Sequence, residues 1–279
     1  MILIADSGST KTDWALACGA TMVKRIATQG INPFHQDMET VKSILEDELL
    51  PHLCECEVDA VYFYGSGCRE EFVPAVTGVF AEVFPGVRQI EARGDLLGAA
   101  RALCGAGEGI ACILGTGANS CLYDGKTIVM NTPPLGYILG DEGSGAVLGR
   151  LFVNAMFKGV LPDSVRREYL SSTGQTMADI IRRVYREPLA NRYLASMAPF
   201  IHEHLDCTEL RAVVTDNFRA FFRRNISPYN HRELPVNVVG SIAHYFKAEL
   251  DEAARAEDFT LGLIERSPMA GLVKYHSAG

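Results

Sequence analysis

Residues suited to phosphate chemistry lie near the start of the chain, in a polar turn between two apolar runs. The run 1–5 ends on Asp6, and Ser7–Thr12 follows as a loop rich in Ser, Thr and Gly before a second apolar run over 14–18. This pattern predicts two antiparallel strands joined by a small hairpin. The alternative interpretation is an ordinary polar hairpin with Lys11 in solvent.

The turn offers groups that could bind a nucleotide phosphate and its cation. Glycine lets the backbone approach a ligand closely, and successive backbone N–H groups can form a concave nest for an anion. Asp6 is the candidate ligand of hydrated Mg²⁺, because a carboxylate at a strand end can hold this cation. The candidate ATP-binding residues in the turn are Gly8, Ser9, Thr10 and Lys11.

A second stretch near the middle of the chain repeats this organisation. The apolar run 110–114 is followed by a small, polar segment at 115–119 and a further apolar run over 120–123. A third short apolar run follows in both copies, so each half is predicted to begin with a three-stranded meander. The repeat predicts two related α/β halves that face each other across a nucleotide. The candidate ATP-binding residues of the second copy are Gly115, Thr116 and Gly117.

Asp95 is the candidate catalytic base. It follows Gly94 and precedes a run of small and apolar residues over 96–104, so it is predicted to lie at a helix N-terminus. It could act there as an N-cap. It could also take the proton from a hydroxyl that attacks the γ-phosphate of ATP. The two roles are compatible, because a capping carboxylate is held in place.

The elements that must position these residues follow from hydrophobic spacing and from turn residues. Ser66 follows a buried strand, at the carboxyl edge where open α/β sheets bind ligands, although a plain turn is the alternative. Strands are predicted at 58–64, 87–91, 235–239 and 259–264. Helices are predicted at 36–50, 69–82, 95–104, 141–157, 242–256 and 268–275. The Arg-rich helices of 160–225, with His202 and His204, are predicted to present solvated faces.

Together these segments resemble the sugar kinase/heat-shock ATPase/actin superfamily, and within it the N-acetylglucosamine kinase family, which is often merged with the BadF/BadG activator ATPases. The resemblance covers nearly the whole chain and depends on the order and spacing of six motifs. They are DSGSTKT at 6–12, GINP at 30–33, GD at 94–95, GTGANS at 115–120, LGDEGSG at 139–145 and VVGSI at 238–242.

The resemblance implies an α/β fold of two ribonuclease H-like domains with a nucleotide cleft between them. The first domain is expected over 1–107 and the second over 108–279, with the Gly-rich segment 104–109 as the boundary. A helical insertion is expected at about 160–225, and the last helix could pack back on the first domain.

The resemblance also implies the reaction: ATP-dependent phosphorylation of an amino sugar, with ATP as co-substrate and Mg²⁺. N-acetylglucosamine at its 6-hydroxyl is the expected acceptor, and glucosamine, N-acetylmannosamine and cell-wall-derived sugars are the alternatives. The resemblance assigns the base to Asp95, although Gly94 stands where the family usually has Asn. Gly240 and Ser241 match the adenosine motif. The candidate sugar-binding residues are Asn32, Ser66, Asn119, Gly136 and Asp141.

Three of these positions have simpler interpretations, and these remain open. Asn32 could be a turn residue before Pro33, and Asp141 could cap the helix predicted over 141–157. Gly240 could belong to a bare turn. Glu142 is expected to support Asp141 rather than to contact the sugar.

Composition limits the classes of partner. The 279 residues have a formal net charge of −8, which disfavours nucleic-acid binding beyond ATP. No apolar run approaches the ~20 residues of a membrane helix, and the N-terminus lacks a basic signal region. The scattered cysteines, such as Cys112 and Cys121, fit reduced thiols in a cytoplasmic protein, and Cys54-Glu-Cys56 lacks metal-site spacing. The expected partner is a small-molecule sugar, and a homodimer is a family expectation.

Two other functions are compatible with the same loops. The first is a BadF-type ATPase that activates a partner enzyme; such activators use bridging cysteines for an iron–sulfur cluster, and these cysteines show no paired pattern of that kind. The second is a non-catalytic sugar or nucleotide sensor. The presence of Asp6, Asp95 and Asp141 argues against a sensor, which has no need of a base.

Overall fold

Two five-stranded mixed sheets organise the fold. The computed structural model describes residues 1–8, 10–53 and 57–277. The first sheet has the strand order β3-β2-β1-β4-β5 and the second has the order β10-β9-β6-β7-β8. The strands are β1 Ile2–Ser7, β2 Lys11–Cys18, β3 Thr21–Gln29, β4 Ala60–Gly65, β5 Gln89–Gly94, β6 Gly109–Leu114, β7 Ala118–Tyr123, β8 Ile128–Met130, β9 Val236–Val239 and β10 Leu261–Glu265.

Helices fill the connections between the strands. The α-helices are α1 Met38–Ser43, α2 Val73–Val83, α3 Asp95–Cys104, α4 Gly136–Leu139, α5 Gly145–Phe157, α6 Asp163–Thr173, α7 Met177–Tyr185, α8 Ala190–Ala195, α9 Ala198–Glu203, α10 Thr208–Phe221, α11 Ser241–Tyr245, α12 Lys247–Ala256 and α13 Met269–Ser277. Two of them continue as π-helical turns, α1 over Ile44–Leu49 and α10 over Phe222–Ile226. Among the described residues, no helix is both long enough and apolar enough to cross a bilayer.

The chain divides into two compact units, one around each sheet. The first contains Met1–Glu108, Tyr123–Ile128 and Ser267–Gly279, and the second contains Gly109–Leu122 and Val129–Arg266. The two strand orders are equivalent when β6 is laid on β1, β9 on β4 and β10 on β5. The repeat that the sequence predicts is therefore present as the same order of strands in both sheets.

The three central strands of the first sheet, β1, β2 and β4, are buried on both faces, as their continuous apolar runs require. Leu3 and Trp14 pack on one face in the core that includes side chains of the segment 38–53 and of α2. Ile4 packs on the other face, in a cluster with Leu272 of α13. The Tyr64 hydroxyl also lies 2.8 Å from Nε2 of His276, so α13 is fixed to this sheet by both apolar and polar contacts.

The second sheet packs against a larger helical layer. Its core joins Ile110 and Leu114 of β6 to Phe152 of α5 and to Phe218 of α10. The helical region predicted at about 160–225 therefore contributes buried side chains as well as solvated faces. The predicted helix over 242–256 is interrupted at Phe246, which separates α11 from α12.

One predicted helix start is wrong. The helix predicted to open at Asp141 begins at Gly145, and its N-cap is Ser144, whose Oγ accepts a hydrogen bond from the Val147 N–H at 3.1 Å. Asp141 has a left-handed backbone with φ 54°. An N-cap residue has extended dihedrals, so Asp141 cannot serve as the cap. The short helix α4 lies just before this point, at Gly136–Leu139.

Candidate active site

In the first unit, three parallel strands end at one edge of the sheet. Strand β1 pairs in parallel with β4, with Asp6 opposite Tyr64. Strand β4 pairs in parallel with β5, with Gly65 opposite Gly94. This register brings Asp6, the turn after β4 and the first residue of α3 to the carboxyl edge, where open α/β sheets bind ligands.

Asp95 is the first residue of α3 rather than its N-cap. Gly94 takes the cap position with φ −67° and ψ 149°. Asp95 Oδ1 accepts a hydrogen bond from the Leu96 N–H at 2.9 Å. The helix start thus holds the carboxylate by its own backbone, and no cationic side chain among the described residues forms an ion pair with it.

Burial and mutual repulsion perturb the two carboxylates of this edge. Burial raises the pKa of Asp95 to about 6. Burial, followed by repulsion from Asp95 and Asp13, raises the pKa of Asp6 to about 7. The nearest cations are committed elsewhere, because Lys11 Nζ lies 2.9 Å and an Arg25 guanidinium nitrogen 3.5 Å from Asp13 Oδ2. A ligand cation beside Asp6 and Asp95 would relieve this repulsion.

The donor set at this edge fits Mg²⁺. Carboxylate oxygen is the ligand type that this hard cation prefers, and Mg²⁺ commonly binds through one or two carboxylates, several waters and substrate phosphates. Within the described ranges, no cluster of three or more His, Cys, Asp or Glu side chains could hold a metal ion by itself. Asp6 suits a cation that arrives with a phosphate.

The first hairpin is closed by its own backbone. The Gly8 N–H donates to the Lys11 carbonyl at 3.0 Å, and the Thr10 carbonyl accepts from the Gly30 N–H at 3.2 Å. Lys11 Nζ donates to Asp13 at 3.0 Å on strand β2. Ser9 lies outside the described residues. Fewer groups of this turn than the sequence predicts can therefore bind a phosphate without breaking an existing hydrogen bond.

Asn32 and Ser66 belong to two turns that pack against each other. The Phe34 N–H donates to Asn32 Oδ1 at 3.1 Å, so Asn32 does form the local turn that was the simpler interpretation. A Cβ on Gly67, whose φ is 75°, would lie 2.1 Å from this Oδ1. The Ser66 N–H donates to the Ser7 carbonyl at 2.8 Å, next to Asp6. Both sugar-binding candidates of the first unit thus lie near the strand ends.

In the second unit, the Gly115–Gly117 loop lies against the start of α5. The N–H groups of Gly145 and Ala146 donate to the carbonyls of Gly115 and Thr116 at 2.8 and 3.1 Å. A Cβ on Gly117 would lie 3.1 Å from Asp141 Oδ2. The structure therefore brings a phosphate-loop candidate and a sugar-binding candidate into contact.

Asp141 is held by a loop that folds back on itself. Its N–H donates to the Pro134 carbonyl at 2.8 Å, and the Gly140 N–H donates to the Gly136 carbonyl at 2.7 Å. Burial raises the pKa of Asp141 to about 6, although the N–H groups of Ala118 and Gly136 donate to its carboxylate and oppose the rise. Gly136 thus lies beside Asp141.

Asn119 forms part of the same region through its neighbours. Its Oδ1 accepts from the Ser120 N–H at 3.0 Å and from Asn131 Nδ2 at 2.9 Å. These bonds fix the orientation of the amide, so its remaining polar group has a defined direction.

A cavity of about 560 Å³ lies entirely within the second unit. Gly115, Thr116 and Ser241 line it, so it joins the second phosphate loop to the adenosine motif. A Cβ on Gly240, whose φ is 132°, would lie 2.2 Å from the Leu114 carbonyl oxygen, so only glycine allows the turn to lie this close to β6. The volume is within the usual range of ~300–1,000 Å³ for ligand pockets.

Comparison with solved structures gives a match over the full length of the chain. A candidate N-acetylglucosamine kinase from Porphyromonas gingivalis is 48% identical, with a TM-score of 0.98 over 100% of this chain and 99% of that chain. The chain belongs to the N-acetylglucosamine kinase family. The family resemblance that the motifs indicate is thereby confirmed.

Two more distant solved structures share the fold of this chain. A candidate N-acetylglucosamine kinase from Chromobacterium violaceum is 18% identical, with a TM-score of 0.74 over 99% of each chain. A ROK family glucokinase from Streptomyces griseus, in complex with glucose and AMPPNP, is 14% identical, with a TM-score of 0.62 over 98% of this chain and 97% of that chain. The predicted α/β two-domain fold is confirmed. No protein-family model matches the chain, and neither does any curated protein.

Nothing in the sequence marks three of the residues that line this cavity as functional. Arg192, His202 and Tyr245 line the cavity together with Ser241. His202 is exposed, as the sequence predicts, but it also faces this space. It comes from α9 of the helical region, and only tertiary packing brings α9 to α11.

Proposed function

We propose that the protein is an ATP-dependent kinase for an amino sugar, with N-acetylglucosamine phosphorylated at its 6-hydroxyl. The observation that carries this proposal is the Asp95 carboxylate at the carboxyl edge of the first sheet. It is half-buried, its pKa is raised to about 6, and it lies close enough to Asp6 to raise that pKa as well. Such a group is ionised at neutral pH and still basic enough to accept a proton.

Asp95 serves as the general base in this proposal. It takes the proton of the sugar 6-hydroxyl while the oxygen forms a bond to the γ-phosphorus and the bond from that phosphorus to the ADP oxygen breaks. Phosphoryl transfer needs little covalent assistance from the protein, so positioning and charge stabilisation supply most of the acceleration. Asp6 would hold Mg²⁺, which would neutralise phosphate charge when bound.

ATP is assigned to both glycine-containing loops. The cavity of the second unit would take the adenosine, with Gly240 and Ser241 at the α11 turn and Gly115, Thr116 and Gly117 toward the phosphates. The first hairpin would contribute Thr10 and Lys11, with Gly8 and Ser9. Support comes from the continuity of the cavity lining, which includes Gly115, Thr116 and Ser241.

The sugar is assigned to the candidate residues around the two acidic groups. Asn32 and Ser66 lie at the strand ends beside Asp6, and Asn119 and Gly136 lie near Asp141. Asp141 would accept hydrogen bonds from sugar hydroxyls and orient the acceptor. Its contact with the backbone of Gly136 and its proximity to Gly117 support this role.

The test is ATP turnover by the purified protein with Mg²⁺, over a panel of hexoses and amino sugars. The panel is run on wild type, on Asp95→Asn and on the control Asp216→Asn, whose carboxylate is 74% exposed. We expect N-acetylglucosamine to raise turnover, Asp95→Asn to abolish that rise and Asp216→Asn to retain it. Turnover that is independent of every sugar would contradict the kinase and favour an ATPase that drives a partner.

A further inference from the structure

The turn that follows α10 is π-helical and lies against the segment that carries Asp141. Over Phe222–Ile226 the backbone hydrogen bonds follow the i→i−5 spacing of a π-helix, and the Ser227 N–H donates to the Phe222 carbonyl. π-Helical turns are rare and occur frequently at functional sites. Here the turn ends at Ile226, shortly before Pro228, which has no N–H to donate to a helix carbonyl.

Asn225 in this turn binds residues from three places in the chain. Its Nδ2 donates to Glu142 Oε2 at 3.2 Å. Its backbone carbonyl accepts from Thr132 Oγ1 at 2.9 Å and from Ser120 Oγ at 3.5 Å. Asn225 is only 6% exposed, so loss of these partners would leave buried polar groups unsatisfied.

Glu142, the residue after Asp141, has two side-chain partners, and the Asn225 amide is the buried one. Arg224 also donates to Glu142 Oε1 at 2.8 Å, but its side chain is 71% exposed, and exposed ion pairs contribute little. Burial opposes ionisation of Glu142, yet the hydrogen bonds from Arg224 and Asn225 hold its pKa below the ordinary value.

The next two residues are held by the body of α10. The Gly143 N–H donates to Asn217 Oδ1 at 3.0 Å, and Asn217 Nδ2 donates to the Ser144 carbonyl at 3.4 Å. Asp141 itself has the unfavourable left-handed φ of 54°. A non-glycine residue keeps such a conformation only where its surroundings impose it. The bond from the Asp141 N–H to the Pro134 carbonyl supplies part of that restraint, and the contacts of α10 and its π-helical turn with residues 142–144 add to it.

We infer that Asn225 is a positioning residue of the sugar site: its side-chain amide holds Glu142 on a turn that the Asn225 carbonyl joins to Thr132, and this contact helps to keep the neighbouring Asp141 in its left-handed conformation. This inference rests on the proposed function, because Asp141 is the residue assigned to the sugar hydroxyls. Asn225 touches no reacting atom and acts through the segment 141–144.

The first experiment is steady-state kinetics of Asn225→Ala, with Asn154→Ala as the control, because Asn154 is exposed on α5. We expect Asn225→Ala to raise the KM for the sugar about 10-fold, as loss of a buried hydrogen bond predicts. The KM for ATP should stay within about twofold, because the Gly115–Gly117 loop is held by α5 instead. An equal rise in both KM values, or an unchanged sugar KM, would overturn the positioning role.

A double-mutant cycle with Glu142→Ala makes the test independent of the overall stability of one variant. If Asn225 acts through Glu142, the double variant should have nearly the same sugar KM as either single variant. Additive effects would overturn the inference. Glu142→Gln keeps an oxygen acceptor for the Asn225 amide and should restore most of the affinity that Glu142→Ala loses.

Amide hydrogen exchange provides a readout that does not use activity. Asn225→Ala should accelerate exchange of the Gly143 and Ser144 amides and leave that of α5 unchanged. Unchanged exchange at these amides would overturn the inference. Absence of sugar-dependent turnover in the wild type would overturn the proposed function and the sugar-site role of Asn225 together, whereas an unchanged sugar KM in an active Asn225→Ala would overturn only the positioning role.

Discussion

Asp95 in the first unit and Asp141 in the second both follow a glycine, and burial raises the pKa of each to about 6. They differ in what holds them. Asp95 begins a regular helix and accepts a hydrogen bond from the next residue. Asp141 has a left-handed backbone, and its segment is restrained by α10 and the turn after it. Similar carboxylates are thus held by a helix start in one unit and, in the other, by a folded loop whose following residues bind a distant helix.

The two hairpins differ in the same way. Asp6 lies at the end of β1, and its equivalent in the second copy is Gly115. Only the first copy therefore offers a carboxylate for a cation, while the second copy opens onto the cavity. The two copies of the topology therefore differ in chemistry: the first has a carboxylate within its strand end, whereas the second has a glycine there, with Asp141 beside its loop and a cavity next to it.

The largest expected effect separates the roles of the two acids. Asp95→Asn should lower kcat by about 100-fold or more, because it removes the base, with little change in the KM for the sugar. Asp141→Asn should instead raise the KM for the sugar by about 10-fold, because it weakens charge-assisted hydrogen bonds. Initial-rate kinetics at varied sugar concentration separate the two. A kcat loss of the same size in both variants would contradict the distinction.

The pH profile tests both carboxylates at once. Both must be ionised to work, and each has a pKa of about 6. Activity should therefore fall as the pH drops below about 6, and log kcat/KM should approach a slope of two when both protonate. In Asp141→Asn the slope should fall to one. A wild-type profile that stays flat down to pH 5 would exclude Asp95 as the base.

Alanine at the equivalent glycines of the two loops gives a matched pair. A Cβ at Gly117 would lie 3.1 Å from Asp141 Oδ2, which must move by a few tenths of an ångström, whereas the nearest atom to a Cβ at Gly8 is 3.7 Å away. We expect Gly117→Ala to raise the sugar KM by about threefold to 10-fold, and Gly8→Ala to leave it unchanged. Similar effects on both variants would contradict the contact with Asp141.

The smallest expected effect concerns stability of the metal-free protein. The pKa of Asp6 is about 7 in the folded chain against 3.8 ordinarily, so its contribution to folding is fully present below about pH 4 and is lost as the pH rises through 7. Asp6→Asn should therefore raise Tm at pH 8 by a few degrees, which is the size of Tm shift expected for a chain of this length. It should leave Tm unchanged near pH 4.

A carboxylate of opposite environment in the same unit is the control for this stability test. Backbone N–H groups of Thr127 and Lys126 hold the pKa of Asp124 below its ordinary value. Asp124→Asn should thus lower Tm at pH 8, where Asp6→Asn raises it. Differential scanning calorimetry at the two pH values measures both variants, and a rise in Tm for both would contradict the explanation for Asp6.

The order of the motifs predicted the family, and the periodicity of the strands predicted the repeated sheet. Both signals depend on residues that are close together in the sequence. The alternation of apolar runs with Gly- and Ser-containing turns marks β1, β2, β6 and β7. Residue type also predicts that Asp95 opens a helix. The start of α5 at Ser144 rather than Asp141 was harder to predict, because either of two polar residues three positions apart can cap a helix and the backbone of the loop decides between them.

The sequence by itself determined the α/β repeat, the position of the acidic residues at element ends and the family. Only the folded structure shows the left-handed conformation of Asp141, the bond of Asn225 to Glu142, and the meeting of His202 and Tyr245 in the cavity. The physical reason is the distance along the sequence over which each interaction acts. Hydrophobic periodicity and capping act over a few neighbouring residues, whereas these contacts join residues more than 40 positions apart and exist only once the helices have packed.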